Sequence, residues 1–75
     1  MDETLADIDE ACRMTGGQSP ATIRRRVKGG TFPQPVVLTR DKLGRPSRVA
    51  WVRGELAEWC RRQIAQHRRG PEAVA

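Results

Sequence analysis

The sequence is poor in the residues that build stacking platforms and metal sites. It has no tyrosine, one phenylalanine, two tryptophans, two cysteines and one histidine. RNA-binding modules present exposed aromatic side chains, and we expect both tryptophans here to be buried. Cys12 and Cys60 have no second ligand at zinc spacing, and His67 follows Cys60 by seven residues, so we expect core cysteines and a surface histidine. The composition argues against an RNA-binding module and a metal site.

Combinations of residues that carry out catalysis are also missing. No nucleophile stands next to a general base, and GGQS is read as a turn rather than a phosphate-binding loop. A chain of 75 residues leaves no room for a catalytic domain or a deep cofactor cavity. We therefore expect a single domain with no enzymatic activity, no catalytic residue and no cofactor.

Long apolar runs are absent as well. No segment is apolar enough to span a bilayer, and no basic amphipathic helix has the bulky apolar face that binds a membrane surface. The acidic N-terminal region does not resemble a signal peptide. We expect an intracellular protein without a membrane partner.

Positive charge is abundant and unevenly distributed. The formal net charge is +5, but five of the nine acidic residues lie within the first ten positions. All 14 basic residues follow, against four acidic ones, so residues 11–75 carry +10. A basic body of this kind favours a polyanionic partner, of which nucleic acid is the commonest.

A short cationic helix is predicted over residues 19–28. Ser19 can cap its N terminus, Pro20 suits the first helical position, and two glycines after residue 28 offer a left-handed stop. Ile23 and Val27 fall on one face, which leaves the arginines on the other.

Another helix precedes it and begins at Asp7 or at Asp9, since either residue can serve as the N-cap. It ends at two glycines, 16 and 17. Two helices joined by a short glycine turn form a helix-turn-helix or an ordinary helical hairpin. The cationic second helix favours the DNA-binding form, in which that helix enters the major groove.

The N-terminal residues of such a second helix meet base edges. Ala21 and Thr22 can contact a thymine methyl group, and Arg25 can pair bidentately with guanine. Arg24 and Lys28 are better placed for backbone phosphates. The predicted major-groove residues are Gln18, Ser19, Ala21, Thr22 and Arg25.

A β-hairpin is predicted next, because Pro33 and Pro35 exclude a helix. Two β-prone runs, residues 36–38 and 48–52, flank a long polar tip. A basic tip beside a basic helix has the geometry of a wing that reaches DNA backbone or minor groove, and a solvated charged loop is the alternative. The predicted wing residues are Arg40, Lys42, Arg45 and Arg48.

The last predicted helix runs from residue 53 to about 69, where apolar residues from Val52 to Ile64 recur at helical spacing. The predicted fold is thus α+β and mostly helical: a winged helix-turn-helix over residues 7–69, between a flexible acidic leader (1–6) and a flexible tail (70–75). The predicted core consists of Ile8, Met14, Ile23, Val27, Phe32, Val36, Leu38, Val49, Trp51, Leu56, Trp59 and Ile64.

Three segments also carry a family resemblance. They read IDEACRMTG, SPATIRRRVKGGTFPQPVVL, and RVAW followed by VRGELAEWC. The most specific motif is GGTFPQPV, a glycine turn into F-P-x-P after the second helix, followed by the E-L-x-E-W run. Over about residues 8–65 the chain resembles AlpA-type prophage regulators and small phage excisionases, which have a MerR-like winged-helix fold.

The resemblance implies a DNA-binding transcription regulator, or an accessory factor that steers an integrase toward excision. It implies a bacterial cytoplasmic, nucleoid-associated protein with an integrase or RNA polymerase as further partner. Three departures stand out: a first turn one residue longer than the family's T-G-x-S, Arg26 at a usually apolar position, where we expect it to snorkel, and a longer hairpin tip.

Small size adds one further expectation. A single module of this kind buries only about 600–1,000 Å² on DNA. We therefore expect weak binding by one copy, and self-association on neighbouring sites. The alternative function is a non-enzymatic protein-interaction module whose basic surface docks an acidic partner.

Overall fold

A computed structural model describes residues 2–68 and shows three helices with a three-stranded antiparallel sheet, about 48% of it helical. This confirms the α+β class. The elements are β1 (Leu5–Ala6), α1 (Ile8–Met14), α2 (Pro20–Gly29), β2 (Val36–Arg40), β3 (Pro46–Val52) and α3 (Arg53–His67). The predicted tail, residues 70–75, and the predicted domain end at 69 lie outside the described residues.

The sheet contains a strand that the sequence did not reveal. Its order is β1–β3–β2, with Leu5 opposite Val52 and Ala6 opposite Trp51. The segment predicted as a flexible leader, residues 1–6, therefore contributes a strand at Leu5–Ala6. A strand of two residues has no periodicity of its own, and its position is decided by pairing with β3.

The same N-terminal segment completes the start of α3. The N-cap of α3 is Val52, which has no side chain able to accept a hydrogen bond. Instead, the amide of Arg53 donates to the carbonyl of Thr4 at 2.8 Å, and the amide of Gly54 donates to the carbonyl of Asp2 at 2.7 Å. The acidic segment is thus ordered because its carbonyl groups accept hydrogen bonds from the first amides of α3, which have no acceptor within the helix.

Helices α1 and α2 begin at side-chain caps. The Asp7 carboxylate accepts the Glu10 amide at 2.8 Å, which decides between the two candidate caps of α1. The Ser19 hydroxyl accepts the Thr22 amide at 3.2 Å, with proline at the first position of α2. Gly30, at φ 78°, ends α2 in the left-handed conformation.

The centre of the core is an aromatic cluster. The Phe32 ring packs edge-on against Trp59 and Trp51, at centroid distances of 4.9 and 6.3 Å. The indole of Trp59 donates to the carbonyl of Thr31 at 2.8 Å, and that of Trp51 to the carbonyl of Pro33 at 2.9 Å. Thr31 and Pro33, which flank Phe32, are thereby fixed in position. The TFP segment and the two tryptophans thus form one packed and hydrogen-bonded cluster.

Part of the predicted core is exposed. Val36, Leu38 and Ile64 are 41%, 48% and 54% exposed, so their assignment to the core is wrong. Each has the expected periodicity, but periodicity gives the face on which a residue lies and not how completely that face is covered. Ile8, Met14, Val27 and Val49 pack against the core while half-buried. The buried hydrophobic residues are Ala6, Ala11, Ile23, Phe32, Ala50, Trp51, Leu56 and Trp59.

The β2–β3 hairpin projects from this core. Every residue from Leu38 to Arg48 is exposed, and the loop between the strands comprises only Asp41–Arg45. The prediction of a long tip between residues 38 and 48 is therefore wrong, because paired strand takes up part of that length. The register shifts on either side of Thr39, a bulge or irregularity of the kind that bends a ladder.

Candidate nucleic-acid interface

The outer face of α2 is cationic because the helical repeat separates its arginines from its core residues. Ile23 is fully buried. At 3.6 residues per turn, Ala21, Arg25 and Lys28 lie on the opposite side of the helix, and all three are exposed. Three of the seven residues of this region that were predicted to contact DNA therefore lie on the face opposite the core.

A groove of about 360 Å³ separates α2 from β3. Arg24 lines it from the helix, and Ser47 and Arg48 line it from the strand. Its apolar lining comes from core residues. Because Arg24 and Arg48 face one groove, the cationic helix and the predicted wing form a continuous surface. The remaining lining residues are Asp7, Ile8, Val27, Pro35, Val49 and Trp51.

The cations of this surface have no carboxylate partner in the described part of the chain. Within the described range, residues 2–68, salt bridges join Arg45 to Asp41, Arg53 to Glu10 and Arg61 to Glu58. Arg24, Arg25, Lys28 and Arg48 take part in none of them. Uncompensated charges on one surface produce a positive potential that attracts an anion.

One acidic residue does border the groove. Asp7 lines it at the α1 side, where its carboxylate caps α1. Its negative charge opposes binding of a polyanion over α1. An anionic partner is therefore favoured on the side of α2 and β3, away from the start of α1.

Gln18 is not brought to this surface. Its side-chain amide donates to the Thr15 hydroxyl at 2.9 Å, and that hydroxyl donates to the carbonyl of Ala11 at 2.7 Å. Gln18 is half-buried and lines a cleft that also includes Trp59. The residue therefore closes the turn between α1 and α2 instead of facing outward with Arg25.

Ser19 and Thr22 are at the exposed start of α2, but their hydroxyls already have partners. The two oxygens are 2.9 Å apart, and the Ser19 hydroxyl also caps the helix. A guanidinium nitrogen of Arg25 lies 3.4 Å from the Thr22 hydroxyl, a long and weak hydrogen bond. Ser19 and Thr22 thus border the cationic surface, and the Thr22 hydroxyl helps to orient the Arg25 side chain.

The hairpin tip, residues 41–45, is organised by one carboxylate. Asp41 accepts the amides of Leu43 at 2.9 Å and Arg45 at 3.0 Å, and the Arg45 guanidinium at 3.1 Å. The backbone bond from Arg45, with smaller contributions from Leu43 and the Arg45 side chain, lowers the pKa of Asp41. Arg40 reaches over the loop and donates to the Gly44 carbonyl at 2.8 Å.

The four predicted wing residues therefore divide into two pairs. Arg40 and Arg45 hold the tip together, although the Arg40 bond leaves its charge uncompensated. Lys42 and Arg48 make no side-chain bond or salt bridge that the structure records in residues 2–68, and both are exposed. These two are the wing cations best placed for an external anion.

Arg26 lies on a different side of α2. Its guanidinium carbon is 5.9 Å from the centroid of the Trp59 ring, within the range of a cation–π contact. Arg26 shares a cleft with Trp59, Arg62 and His67 and does not line the groove between α2 and β3. It therefore extends over the core edge, as expected, and belongs to a separate surface.

Sequence reasoning missed two residues of this region. Ser47 lines the groove next to Arg48 and presents a hydroxyl there, and Leu43 stands at the hairpin tip. The position of Ser47 beside a predicted wing arginine was the available signal. For Leu43 the sequence contained no such signal, since a single apolar residue inside a polar loop belongs to no periodic pattern.

Other kinds of site receive no support from the described residues. Within residues 2–68, no three His, Cys, Asp or Glu side chains are grouped so that they could hold a metal ion. None of the described helices combines the length and apolar character needed to cross a bilayer.

In comparisons with protein-family models, curated proteins and solved structures, nothing matches this chain.

Proposed function

We propose that this protein binds double-stranded DNA sequence-specifically as a winged helix-turn-helix. Helix α2 lies in the major groove, and the β2–β3 hairpin is the wing, on the backbone or in the minor groove. The observation that supports this most directly is the continuous surface of α2 and Arg48, whose cations have no carboxylate partner in residues 2–68. A polyanion supplies the missing counter-charge.

The dimensions of α2 suit this role. Ten residues extend about 15 Å, and a helix of about 10–12 Å diameter fits a major groove about 12 Å wide. Arg25 projects from the centre of the outer face and reads guanine, while Ala21 and Thr22 contact a thymine methyl. Arg24 and Lys28 bind phosphates beside the groove.

The groove between α2 and β3 receives the phosphate backbone. Arg24 and Arg48 line it from opposite elements, and the Ser47 hydroxyl adds a neutral donor. Phosphate contacts of this kind fix the orientation of a protein on the duplex and carry no sequence information. Specificity therefore depends on Arg25 and its neighbours on the outer face.

The biological role follows from the resemblance to AlpA-type regulators and small phage excisionases. We infer either a transcription regulator or a factor that directs an integrase toward excision, in the bacterial cytoplasm at the nucleoid. RNA polymerase or an integrase is the corresponding protein partner. One module has a small interface, so neighbouring copies bind DNA together.

A second candidate is a non-enzymatic module that docks an acidic protein. The observation in its favour is the apolar character of one region near the cations: Val36 and Leu38 are 41% and 48% exposed on β2. Apolar side chains mixed with arginine are typical of protein interfaces. In this case DNA competes weakly and without sequence preference.

The deciding experiment is selection of bound duplexes from a randomised library, followed by affinity measurements across a salt series. The wild-type chain is expected to enrich one sequence. Arg25→Ala should weaken binding to that duplex by about 1–3 kcal/mol and relax the preference at one base pair. Arg26→Ala is the matched control, since Arg26 lies over Trp59 and should leave the preference unchanged.

Two results would contradict the proposal. Enrichment of no sequence, with equal affinity for all duplexes, would favour the acidic-protein candidate. An Arg25→Ala protein that selected the same duplex with the same affinity would show that the outer face of α2 does not read bases.

A further inference from the structure

The hairpin tip carries an apolar side chain in an unusual place. Leu43 is 75% exposed, against 54% for Ile64, the next most exposed large hydrophobic residue of the described chain. Isolated apolar residues are common on protein surfaces, so exposure alone decides nothing. The position, rigidity and charge of its surroundings carry the inference.

Leu43 lies beyond the part of the hairpin that lines the groove. Thr39 pairs with Arg48, which lines the groove beside α2, and Leu43 follows Thr39 by four residues. Four extended residues would span about 13 Å, and the tip stands less far beyond that pair because residues 41–45 turn back. In the proposed complex the phosphate backbone lies against Arg48, and the minor groove on the far side of that backbone is about 6 Å wide. The tip is therefore placed to enter the minor groove next to the major groove that holds α2.

The tip is also held in one shape. The Leu43 amide donates to Asp41 at 2.9 Å, the Gly44 amide donates to the Asp41 carbonyl at 3.0 Å, and Gly44 has φ 80°. The Asp41 amide closes the loop on the Arg45 carbonyl at 2.9 Å. A side chain on a fixed turn loses little conformational freedom on binding, which favours insertion into a narrow space.

The charges beside Leu43 complement a minor groove. Lys42 precedes it, and Arg40 reaches the Gly44 carbonyl next to it. Arg45 is neutralised in part by Asp41, so the tip keeps a positive balance. The negative potential of a minor groove attracts such cations.

We propose that Leu43 acts as an apolar wedge, entering the minor groove next to the site of α2 and partly unstacking a base step, so that the duplex kinks. The inference rests on the proposed DNA binding and assigns it a specific consequence. Other minor-groove proteins use leucine in this way and bend DNA by about 20–90°.

Affinity and bending should respond differently to removal of the wedge. Burial of Leu43 favours the complex, but unstacking a base step opposes it by a similar amount. Leu43→Ala is therefore expected to change the dissociation constant by less than about ten-fold, while it abolishes the kink. Leu38→Ala is the matched control, because Leu38 is also exposed on the hairpin but lies on the strand.

The test uses the full chain with a duplex selected from the randomised library. Dyes at the two ends report bending by energy transfer, and 2-aminopurine at each step of the flanking minor grooves reports unstacking. The wild type and Leu38→Ala should raise both signals at one flanking step. Leu43→Ala should bind the same duplex with neither signal.

Two outcomes overturn the wedge while DNA binding stands: a wild-type complex with an unbent duplex, and a Leu43→Ala complex bent like the wild type. If the wild type binds no duplex selectively, the proposed function fails first and the wedge fails with it. The selection step therefore separates the two failures.

Discussion

The two ends of the β2–β3 hairpin are ordered by different forces. The base, residues 36–37 and 49–52, includes Trp51, which is buried against Phe32 and bonded to the Pro33 carbonyl. The tip, residues 41–45, has no buried residue and is held by the Asp41 carboxylate. One strand pair thus joins a segment held by apolar packing to a segment held by polar bonds.

The difference separates stability from binding along one element. Apolar burial at the base contributes to the free energy of folding of the whole domain. Exposed hydrogen bonds at the tip contribute little to it but fix the shape of a surface. A substitution that removes apolar packing at the base should therefore lower the stability of the protein, whereas one at the tip should leave the stability nearly unchanged and act on the proposed binding surface.

The largest expected effect concerns the aromatic cluster against which the base packs. Phe32→Ala removes the ring that contacts both tryptophans and should destabilise the fold by about 3–5 kcal/mol. A domain of this size has only about 4–11 kcal/mol in total, so the loss amounts to at least about a quarter of the stability of the protein. Denaturant titration of tryptophan fluorescence measures this.

Leu38→Ala is the control for that measurement, because Leu38 is 48% exposed on the hairpin whose Trp51 packs against Phe32. It should stay within about 0.5 kcal/mol of the wild type. Equal losses in the two variants would show that exposed apolar residues of the hairpin stabilise the fold as much as the aromatic cluster does, which would contradict the assignment of stability to the buried end.

Local signals explain what the sequence predicted correctly. The serine, proline and glycines that bound α2 act within one helical turn, and the structure shows them doing so. The burial of Phe32, Trp51 and Trp59 was predictable because large aromatic side chains rarely stay exposed in a small domain. In the candidate interface, the helical repeat correctly placed Arg25 and Lys28 outward.

Errors arose where the outcome depends on a distant partner. Strand β1 exists because Leu5 and Ala6 pair with β3, more than forty residues away. Val36 and Ile64 have apolar side chains at regular spacing, but they are 41% and 54% exposed, because spacing along the chain does not fix how completely other elements cover a residue. Gln18 was expected to face the major groove of DNA. Its side chain instead donates a hydrogen bond to Thr15 and points toward the turn between α1 and α2.

Substitution of two glycines that share a backbone conformation tests whether the tip is less strongly coupled to global stability than the core. Gly30 and Gly44 have φ 78° and 80°, and a Cβ at either would meet nothing within 4 Å. Alanine in this conformation costs about 1–2 kcal/mol. Gly30→Ala should lose that amount in global stability, because the aromatic cluster fixes the adjoining Thr31. Gly44→Ala should lose less, since the tip can rearrange without unfolding the base.

Thermal denaturation of both variants supplies the measurement. Gly29→Ala is a useful control, because Gly29 is helical and alanine there should stabilise by about 0.4–1 kcal/mol. Equal destabilisation by Gly30→Ala and Gly44→Ala would mean that the tip cannot relax independently.

A smaller effect is expected from Lys42→Ala, which changes the tip without touching the base. Lys42 is exposed and has no recorded side-chain bond within residues 2–68. If the tip contacts a phosphate, the variant should bind all duplexes more weakly, with the slope of log affinity against log salt reduced by about one unit. Stability should be unchanged, and a normal slope would remove Lys42 from the interface.

The smallest effect is the pH response of the tip. Hydrogen bonds from Arg45, with help from Leu43, lower the pKa of Asp41 below its ordinary value of 3.8. The ionised carboxylate is thus favoured in the folded tip, so its contribution is complete above pH 3.8 and is lost as the pH falls through the lowered pKa. Carbon-13 NMR of the Asp41 carboxyl should place its midpoint below 3.8.

The same titration tests whether tip and base are separate units. Amide resonances of Leu43 and Arg45 should shift with the Asp41 midpoint, while the Trp51 indole proton, bonded to Pro33, should not. Asp41→Asn should abolish the coupled shifts and serves as the control. If the Trp51 indole moves with the same midpoint in the wild type and not in Asp41→Asn, the carboxylate stabilises the whole hairpin. Tip substitutions would then have to be judged as changes in fold as well as in binding.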